Sequence, residues 1–493
     1  MHSALLLEMA AETFPDRVAI GDITLAELAA RAQGGAARLH DLGGESVVYI
    51  GLNDAVFPVA LFAAGRLGRP FAPLNYRLAD ADLRRLLART APSVAIVDDD
   101  MMARVAGTDG VSLLTKSAFA AACAAPALQA RVVPEPVPDI AVLLFTSGTT
   151  GEPKAAVLRH RHLTSYVIST VEFMAAADDE AALVSVPAYH IAGISAVLTG
   201  IYGGRRIVYL PAFSPEAWVE TAAAERVTHA MVVPTMLGRI LDVLAARSET
   251  LPFLRALSYG GGRMPMAVIE RAMNALPHVG FVNAYGLTET SSTIAVLGPD
   301  DHREAVAARD AAVRRRLGSV GRPLPSVELE IRGPGGENLP AGVSGEVYVR
   351  GEQIAGEYLH RKVIADDGWF ATNDAGWLDE AGYLFVDGRL DDVIVRGGEN
   401  ISPAEIEDRL RAHPQVADVA VFGVPDDEWG ERIAAVVVAR NPAVSGEELA
   451  GWVRAALRST KTPESWAFRA ELPYNETGKL LRRVLRQEFL AGK

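Results

Sequence analysis

Short, nearly unbroken apolar runs recur through the first half of the chain and alternate with stretches of helical periodicity. The runs "SVVYIGL" (46–52), "SVAIVDD" (93–99), "IAVLLF" (140–145), "ALVSVP" (182–187), "RRIVYL" (205–210) and "HAMVVP" (229–234) are rich in branched and aromatic residues. That is the pattern of strands covered on both faces. Amphipathic segments such as 217–224 separate them, and the alternation predicts an open α/β architecture. From about Val327 the texture changes to "VELEIRG", "GEVYVRG" and "GYLFVDG", strands divided by Gly and Pro turns, which predicts a β-rich subdomain closing the large one. After Gly388 comes a compact α+β unit. In "SPAE", Ser402 is placed at a helix N-cap, Pro403 in the first turn and Glu405 at the capping-box position, and "SGEE" at 445–448 repeats the device. Strands "DVAVFGV" and "IAAVVVA" lie between those two helices, and the boundary is placed near residue 388, giving domains 1–387 and 388–493.

Composition adds bounds. A chain of 493 residues, 49% hydrophobic and 22% charged, can bury more than one core. Its formal net charge of −13 disfavours nucleic acid or an anionic membrane as the main partner and points to a small-molecule site. The single cysteine, Cys123, cannot form an internal disulfide, so a reducing, cytoplasmic compartment is expected. The opening "MHSALLLEMAAETFPDR" lacks the charged start of a signal peptide, and no apolar stretch reaches the roughly 20 residues a bilayer requires.

Residues 145–154, "FTSGTTGEPK", stand apart chemically. Gly148 and Gly151 let successive backbone N–H groups turn inward as an anion-binding nest. Thr146, Ser147, Thr149 and Thr150 add hydroxyl donors, and Lys154 adds a point charge. This is chemistry for a polyphosphate. The Walker loop needs adjacent Gly-Lys followed by Ser or Thr, whereas Glu152 and Pro153 intervene here. Alone, "SGTTG" also reads as an ordinary turn.

The full string resembles the phosphate loop of the adenylate-forming superfamily: acyl-CoA synthetases, peptide-synthetase adenylation domains and luciferases. The resemblance continues over nearly the whole chain. It implies a large N-terminal domain of two α/β subdomains plus a β-rich subdomain, and a small, mobile α+β C-terminal domain. In "VNAYGLTET" (282–290) it sets Tyr285 against the adenine, Thr288 on the phosphates and Glu289, with Thr149, on Mg²⁺; Asn283, Ala284 and Gly286 complete that strand of the ATP site. A hard cation carried by ATP wants carboxylate and hydroxyl oxygens, which agrees. "SYGGGRMP" (258–265) resembles the glycine-rich strand end where adenine and acyl group meet backbone, at Gly260, Gly261 and Gly262; many relatives carry alanine at the position of Gly262, which implies a deeper acyl pocket. "PAYHIAG" (187–193) is similar to the segment beside the carboxylate, with His190 flanking it and Ile191, Ala192 and Gly193 shaping the acyl pocket together with Val233 and Leu287. In "DGWFATNDAG" (367–376) the resemblance gives Asp374 the ribose hydroxyls, with Val386 also in the nucleotide set. Asn373 stands where the family usually has glycine, and asparagine tolerates a left-handed backbone.

The stretch "GRLDDVIVRGGENISPAEIE" (388–407) implies ribose binding by Arg389 and a hinge at Asp391. A loop carrying Arg396, Gly397, Gly398 and Glu399 would line the thiol tunnel after the small domain rotates. "NETGKLLRR" (475–483) supplies Lys479 as the adenylation lysine, a flexible ammonium able to follow charge as it shifts. Arg77 in "LNYRL" and Trp429 in "PDDEWGE" match positions where some CoA ligases hold the nucleotide, whereas "STKTPES" (459–465) lacks the aromatic and arginine of some relatives.

The reaction so implied has two halves. A carboxylate attacks the α-phosphorus of MgATP to give acyl-adenylate and pyrophosphate; a thiol then displaces AMP. Coenzyme A is the expected thiol, with phosphopantetheine on a carrier protein the alternative acceptor, and a homodimer is one assembly the resemblance allows. A luciferase would share these motifs. A binding module without catalysis would be expected to lose Lys154, Glu289 or Lys479, and all three are present. The candidate acyl set holds no cation beyond Arg263, which favours a fatty, cyclic or aromatic acid.

Overall fold

A computed structural model describes residues 1–131, 139–146, 153–397, 399–474 and 480–492. Among the described residues the strands expected from the apolar runs form at Ser46–Ile50, Ser93–Val97, Ile140–Thr146, Ala181–Val184, Arg206–Tyr209 and His229–Val232. The amphipathic segment 217–224 belongs to the helix Pro215–Ala224, opened by Ser214, whose hydroxyl accepts from the Ala217 N–H at 3.1 Å.

Two large sheets stand side by side. One runs, in spatial order, Arg361–Lys362, Glu357–Tyr358, Lys154–Arg159, Ile140–Thr146, Phe71–Pro73, Ser46–Ile50, Ser93–Val97 and Val111–Thr115. The other runs Arg322–Pro323, Ser292–Leu297, Gly280–Leu287, Ala256–Gly260, His229–Val232, Ala181–Val184, Arg206–Tyr209, Val18–Ile20 and Ile23–Thr24. The centre of each is parallel, in keeping with strands apolar on both faces. The largest core lies between the sheets, where helices Ala4–Thr13, Leu25–Leu42, Val56–Arg66 and Ile191–Gly203 pack. The last of these reads "IAGISAVLTGIYG", apolar all round, as a helix covered on every side must be.

A third sheet, antiparallel, is the β-rich subdomain: Glu328–Arg332, Gly345–Arg350, Phe370–Leu378 and Leu384–Arg389. Its core includes Ile331, Val347, Val349 and Phe370 and reaches Tyr285, Leu287 and Val386. The last strand ends at Arg389, and the next sheet, built on Ile394–Arg396, Glu399–Ile401, Val416–Asp426, Gly430–Ala439 and Ser465–Arg469, begins five residues on. Helices Pro403–Arg411 and Gly446–Arg454 cover one face of that sheet and Arg482–Leu490 the other.

Ser445 caps its helix through the Glu448 N–H, 3.2 Å. Ser402 departs from expectation. It stands at the N-cap of Pro403–Arg411 but makes no cap bond; its hydroxyl donates to the Asp387 carbonyl at 3.1 Å, and Glu405 pairs with Lys461 rather than closing a capping box. A tertiary contact to the preceding sheet has taken the hydroxyl. No helix among the described residues is long and apolar enough to cross a membrane.

Candidate active site

Several residues picked out in sequence, among them Thr146, Gly260 and Leu287, stand at the carboxyl ends of strands in the two large sheets, where open α/β sheets bind ligands. Thr146 and Lys154 are cross-strand partners where residues 147–153 link two antiparallel strands. Ser147, Gly148, Thr149, Thr150 and Gly151 in that stretch lie outside the described residues, as do Gly398 and Lys479. Glu289 follows the strand Gly280–Leu287 in a short 3₁₀ turn begun by Thr288.

The nucleotide-side residues form a tight group. The Tyr285 hydroxyl donates to the Asp374 carboxylate at 2.5 Å, and Arg389 Nε lies 3.2 Å from the other oxygen of the same carboxylate. Asp374 and Arg389 are register partners across adjacent strands, which is why residues 15 positions apart meet. Arg389 also donates to the Thr372 carbonyl at 2.8 Å. Burial, then the Asp374 charge, holds the Tyr285 phenol well above its ordinary range, so it stays a donor at neutral pH. Asn373 adopts the left-handed backbone anticipated for it, with φ +60°, and its amide donates to Asp391 at 3.4 Å. Asn283 turns its amide to the Ser319 carbonyl, 3.0 Å away.

At two of the glycines picked out in sequence the backbone alone leaves no room for a side chain: a Cβ at Gly260 would lie 2.3 Å from the Ala284 carbonyl oxygen of the neighbouring strand, and one at Gly193 would lie 2.9 Å from the Pro187 carbonyl oxygen. At Gly262 the nearest atoms to a Cβ, on the Pro234 ring, are 3.9 Å away, so the position has room for alanine.

His190 begins the helix Ile191–Gly203, its ring 4.6 Å from that of Tyr189, which in turn stands edge-on to Tyr76 at 5.7 Å. Beside them a cavity of about 400 Å³ opens between the two large sheets. Tyr76, Arg77, Ser185, Phe213, Val233 and Arg239 are among its lining residues, and Tyr474 of the C-terminal region reaches it as well. The Ser185 hydroxyl is buried on this wall and, among the described residues, has no hydrogen-bond partner. Arg263 is not a pocket cation. It is exposed and paired with Asp408 of the helix Pro403–Arg411 at 2.6 Å, so the cations at the cavity are Arg77 and Arg239. Sequence reasoning missed Arg239 and Ser185; the four-residue spacing of Thr235 and Arg239 shows a shared helix face but not what that face looks onto.

Trp429, Arg396 and Gly397 form a separate cluster. The Arg396 guanidinium lies 5.5 Å from the centre of the exposed Trp429 ring, and the Gly397 N–H donates to the Trp429 carbonyl at 2.8 Å. Arg396 is also bound to Glu464 at 2.6 Å. Glu399 is described only in its backbone, as part of the strand Glu399–Ile401.

The donor set suits Mg²⁺ brought in by ATP. The Tyr358 phenol donates to Glu289 Oε1 at 2.6 Å, and Oε2 has no partner among the described residues. Among the described residues no group of three or more His, Cys, Asp or Glu side chains is arranged to hold a metal by itself, so phosphate and water oxygens would complete the shell.

Comparison with known proteins follows this geometry. The model of the AMP-binding enzyme family matches residues 7–359, and that of the AMP-binding enzyme C-terminal domain matches 405–479. A feruloyl-CoA synthase of an Amycolatopsis species is 35% identical over 476 residues, covering 95% of this chain and 94% of that protein. ATP-bound MatB from Rhodopseudomonas palustris superposes with a TM-score of 0.88 at 28% identity, over 99% of each chain. The o-succinylbenzoate CoA synthetase of Bacillus subtilis, solved with ATP and a magnesium ion, gives 0.81 at 27% identity, covering 97% of this chain and 98% of that one. The chain therefore belongs to the AMP-binding enzymes, in their acyl-CoA synthetase branch.

Proposed function

We propose that the chain joins an aromatic carboxylic acid to coenzyme A, with the cavity between the sheets receiving the acid and the thiol arm that attacks it. One observation carries the reading: a cavity with aromatic walls at Tyr76 and Phe213 in a chain that is 35% identical, nearly end to end, to a feruloyl-CoA synthase. The rings suit a flat substrate. Arg77 and Arg239 suit an anionic group of the acid or of the thiol carrier.

In the proposed mechanism Asp374 accepts the ribose hydroxyls, held for that task by Tyr285 and Arg389. Glu289 and Thr149 would hold Mg²⁺, which supplies charge neutralisation at the phosphates when bound. Thr146, Lys154 and the 147–151 loop would orient the polyphosphate so that the acid's oxygen lies in line with the α-phosphorus, and His190 would flank that carboxylate. Lys479 would follow the charge that develops between carboxylate and α-phosphate. Rotation about Asp391 would then withdraw the lysine and bring the 396–399 loop, with Trp429, to the thiol. A chain that uses ATP and CoA and keeps its one cysteine buried suits the cytoplasm.

The test is mass spectrometry of AMP, pyrophosphate and thioester from purified protein, MgATP and a panel of aromatic and aliphatic acids, with and without CoA. Aryl-CoA with equimolar AMP is the expected result. Acyl-adenylate that accumulates despite CoA would overturn the acceptor and point to a carrier protein; turnover confined to aliphatic acids would overturn the substrate class. Lys479→Ala should abolish adenylation yet leave thioester formation from supplied acyl-adenylate intact.

A further inference from the structure

The short strand Glu357–Tyr358 carries no residue that the motifs single out, yet it is fixed from three sides. Tyr358 is the register partner of Ala156, and the Leu359 N–H donates to the Ala155 carbonyl at 2.9 Å, which lays the segment along the strand that begins with Lys154. Glu357 makes two hydrogen bonds to Arg159, at 2.9 and 2.8 Å. On the other side, the N–H groups of Ala355 and Gly356 both donate to the Glu289 carbonyl, at 2.9 and 3.1 Å. Five residues thus tie the start of the Lys154 strand to the Glu289 turn.

Tyr358 touches the functional ends of both. Its phenol donates to Glu289 Oε1 at 2.6 Å, and the Lys154 ammonium lies 5.7 Å from its ring centroid, within reach of the π face. A phenol that occupies one carboxylate oxygen sets the rotamer of the whole group and leaves the second oxygen to a cation. The ring, held by the same hydrogen bond, limits where the lysine can point. We infer that Tyr358 is a positioning residue for adenylation, fixing Glu289 toward Mg²⁺ and Lys154 toward the phosphates through one side chain.

This rests on the assignment of Glu289 to Mg²⁺ and Lys154 to phosphate, so the experiment carries a control for that assignment. Tyr358→Phe keeps the ring and deletes only the phenol; Tyr358→Leu removes both; Glu289→Gln tests the metal role. For each, ATP–pyrophosphate exchange is followed against Mg²⁺ and ATP concentration, and Mn²⁺ binding with ATP is read by electron paramagnetic resonance. Thermal melting and thioester formation from supplied acyl-adenylate serve as controls.

Loss of an outer-shell partner weakens metal binding by about 10- to 100-fold. Tyr358→Phe should therefore shift the Mg²⁺ half-saturation and the Mn²⁺ affinity by about tenfold, with little change in the melting temperature or the second half-reaction. Tyr358→Leu should add a rise in the KM for ATP at saturating Mg²⁺. If Glu289→Gln shifts the metal curve and Tyr358→Phe does not, the positioning role is wrong. If Glu289→Gln leaves the curve in place, the metal assignment fails first and this inference fails with it. Equal losses in both half-reactions for the two tyrosine variants, with lowered melting, would mark Tyr358 as structural.

Discussion

Two ionic clusters flank the short turn at 390–392, and they are built differently. In the small domain, the Glu407 side chain is 3% exposed and accepts from Arg482 with both oxygens at 2.7 Å and from the Val421 N–H at 2.9 Å. Arg411 lies between Glu407 and Asp418, and Asp418 accepts the Tyr474 phenol at 2.5 Å. Its charges face one another. On the β-rich sheet, Asp374 is also buried, at 8% exposed, but the Arg389 side chain beside it is 34% exposed and the group stands at the edge of the site. The first cluster ties down Tyr474 and Arg482, on either side of 475–479; the second leaves its donors at an open edge. Charge turned inward holds a chain in place, and charge at an edge can hold a ligand.

Four experiments press on that contrast. Glu407→Ala takes from Arg482 the buried carboxylate that holds it through both oxygens and leaves Arg411 with Asp418 alone, and breaking a buried pair costs at most about 3–5 kcal/mol. Calorimetry should show the small domain melting early; an unchanged melt would mean the cluster is no anchor. Acid should act on the other side. Burial pushes His160 and His162, both in the large domain, down to about 4 from an ordinary 6.5. Below pH 6.5 the unfolded chain takes up protons that the folded chain refuses, so their contribution is present above pH 6.5 and is lost as pH falls from there to about 4. The loss is about 2 kcal/mol per histidine by pH 5. Hydrogen exchange at pH 7.5 and pH 5 should show protection falling in the large domain first, and equal loss in both domains would erase the distinction.

At the open cluster the expected cost is to binding rather than folding. Asp374→Asn should raise the KM for ATP about 10- to 100-fold, the weight of a charged hydrogen-bond acceptor, with the melting temperature within a few degrees of the parent. Tyr285→Phe removes one donor to that carboxylate and should cost about 1 kcal/mol, a several-fold rise in the same KM. If either variant melted as early as Glu407→Ala, the second cluster would also be an anchor.

Much of this was legible in the sequence because its signals are local. An apolar run such as 140–145 declares a covered strand from its own residues, and at Asn373 the resemblance to a family that usually has glycine there, with asparagine's tolerance of a left-handed backbone, fits the φ of +60°. What escaped depends on distant partners. Ser402 has the neighbours of a helix cap but spends its hydroxyl on Asp387. Gly260 is required by the Ala284 carbonyl of the neighbouring strand. Arg263 looked like a pocket cation until the helix bearing Asp408 was placed beside it. Tyr358 sits in a two-residue strand whose importance lies in the two elements it joins, neither of which is near it in sequence.

The strand Val18–Ile20 has a consequence for synthesis. Ile20 pairs with Ile207, 187 positions later; its other edge pairs at once with Ile23, but the strands after that hairpin, from Ser46–Ile50 to Lys154–Arg159, all belong to the other sheet. At about 5–20 residues per second, the ribosome needs roughly ten to forty seconds to deliver that partner. Until then the emerging segment has an unpaired edge, and the second sheet cannot be completed while its last neighbour is still being translated.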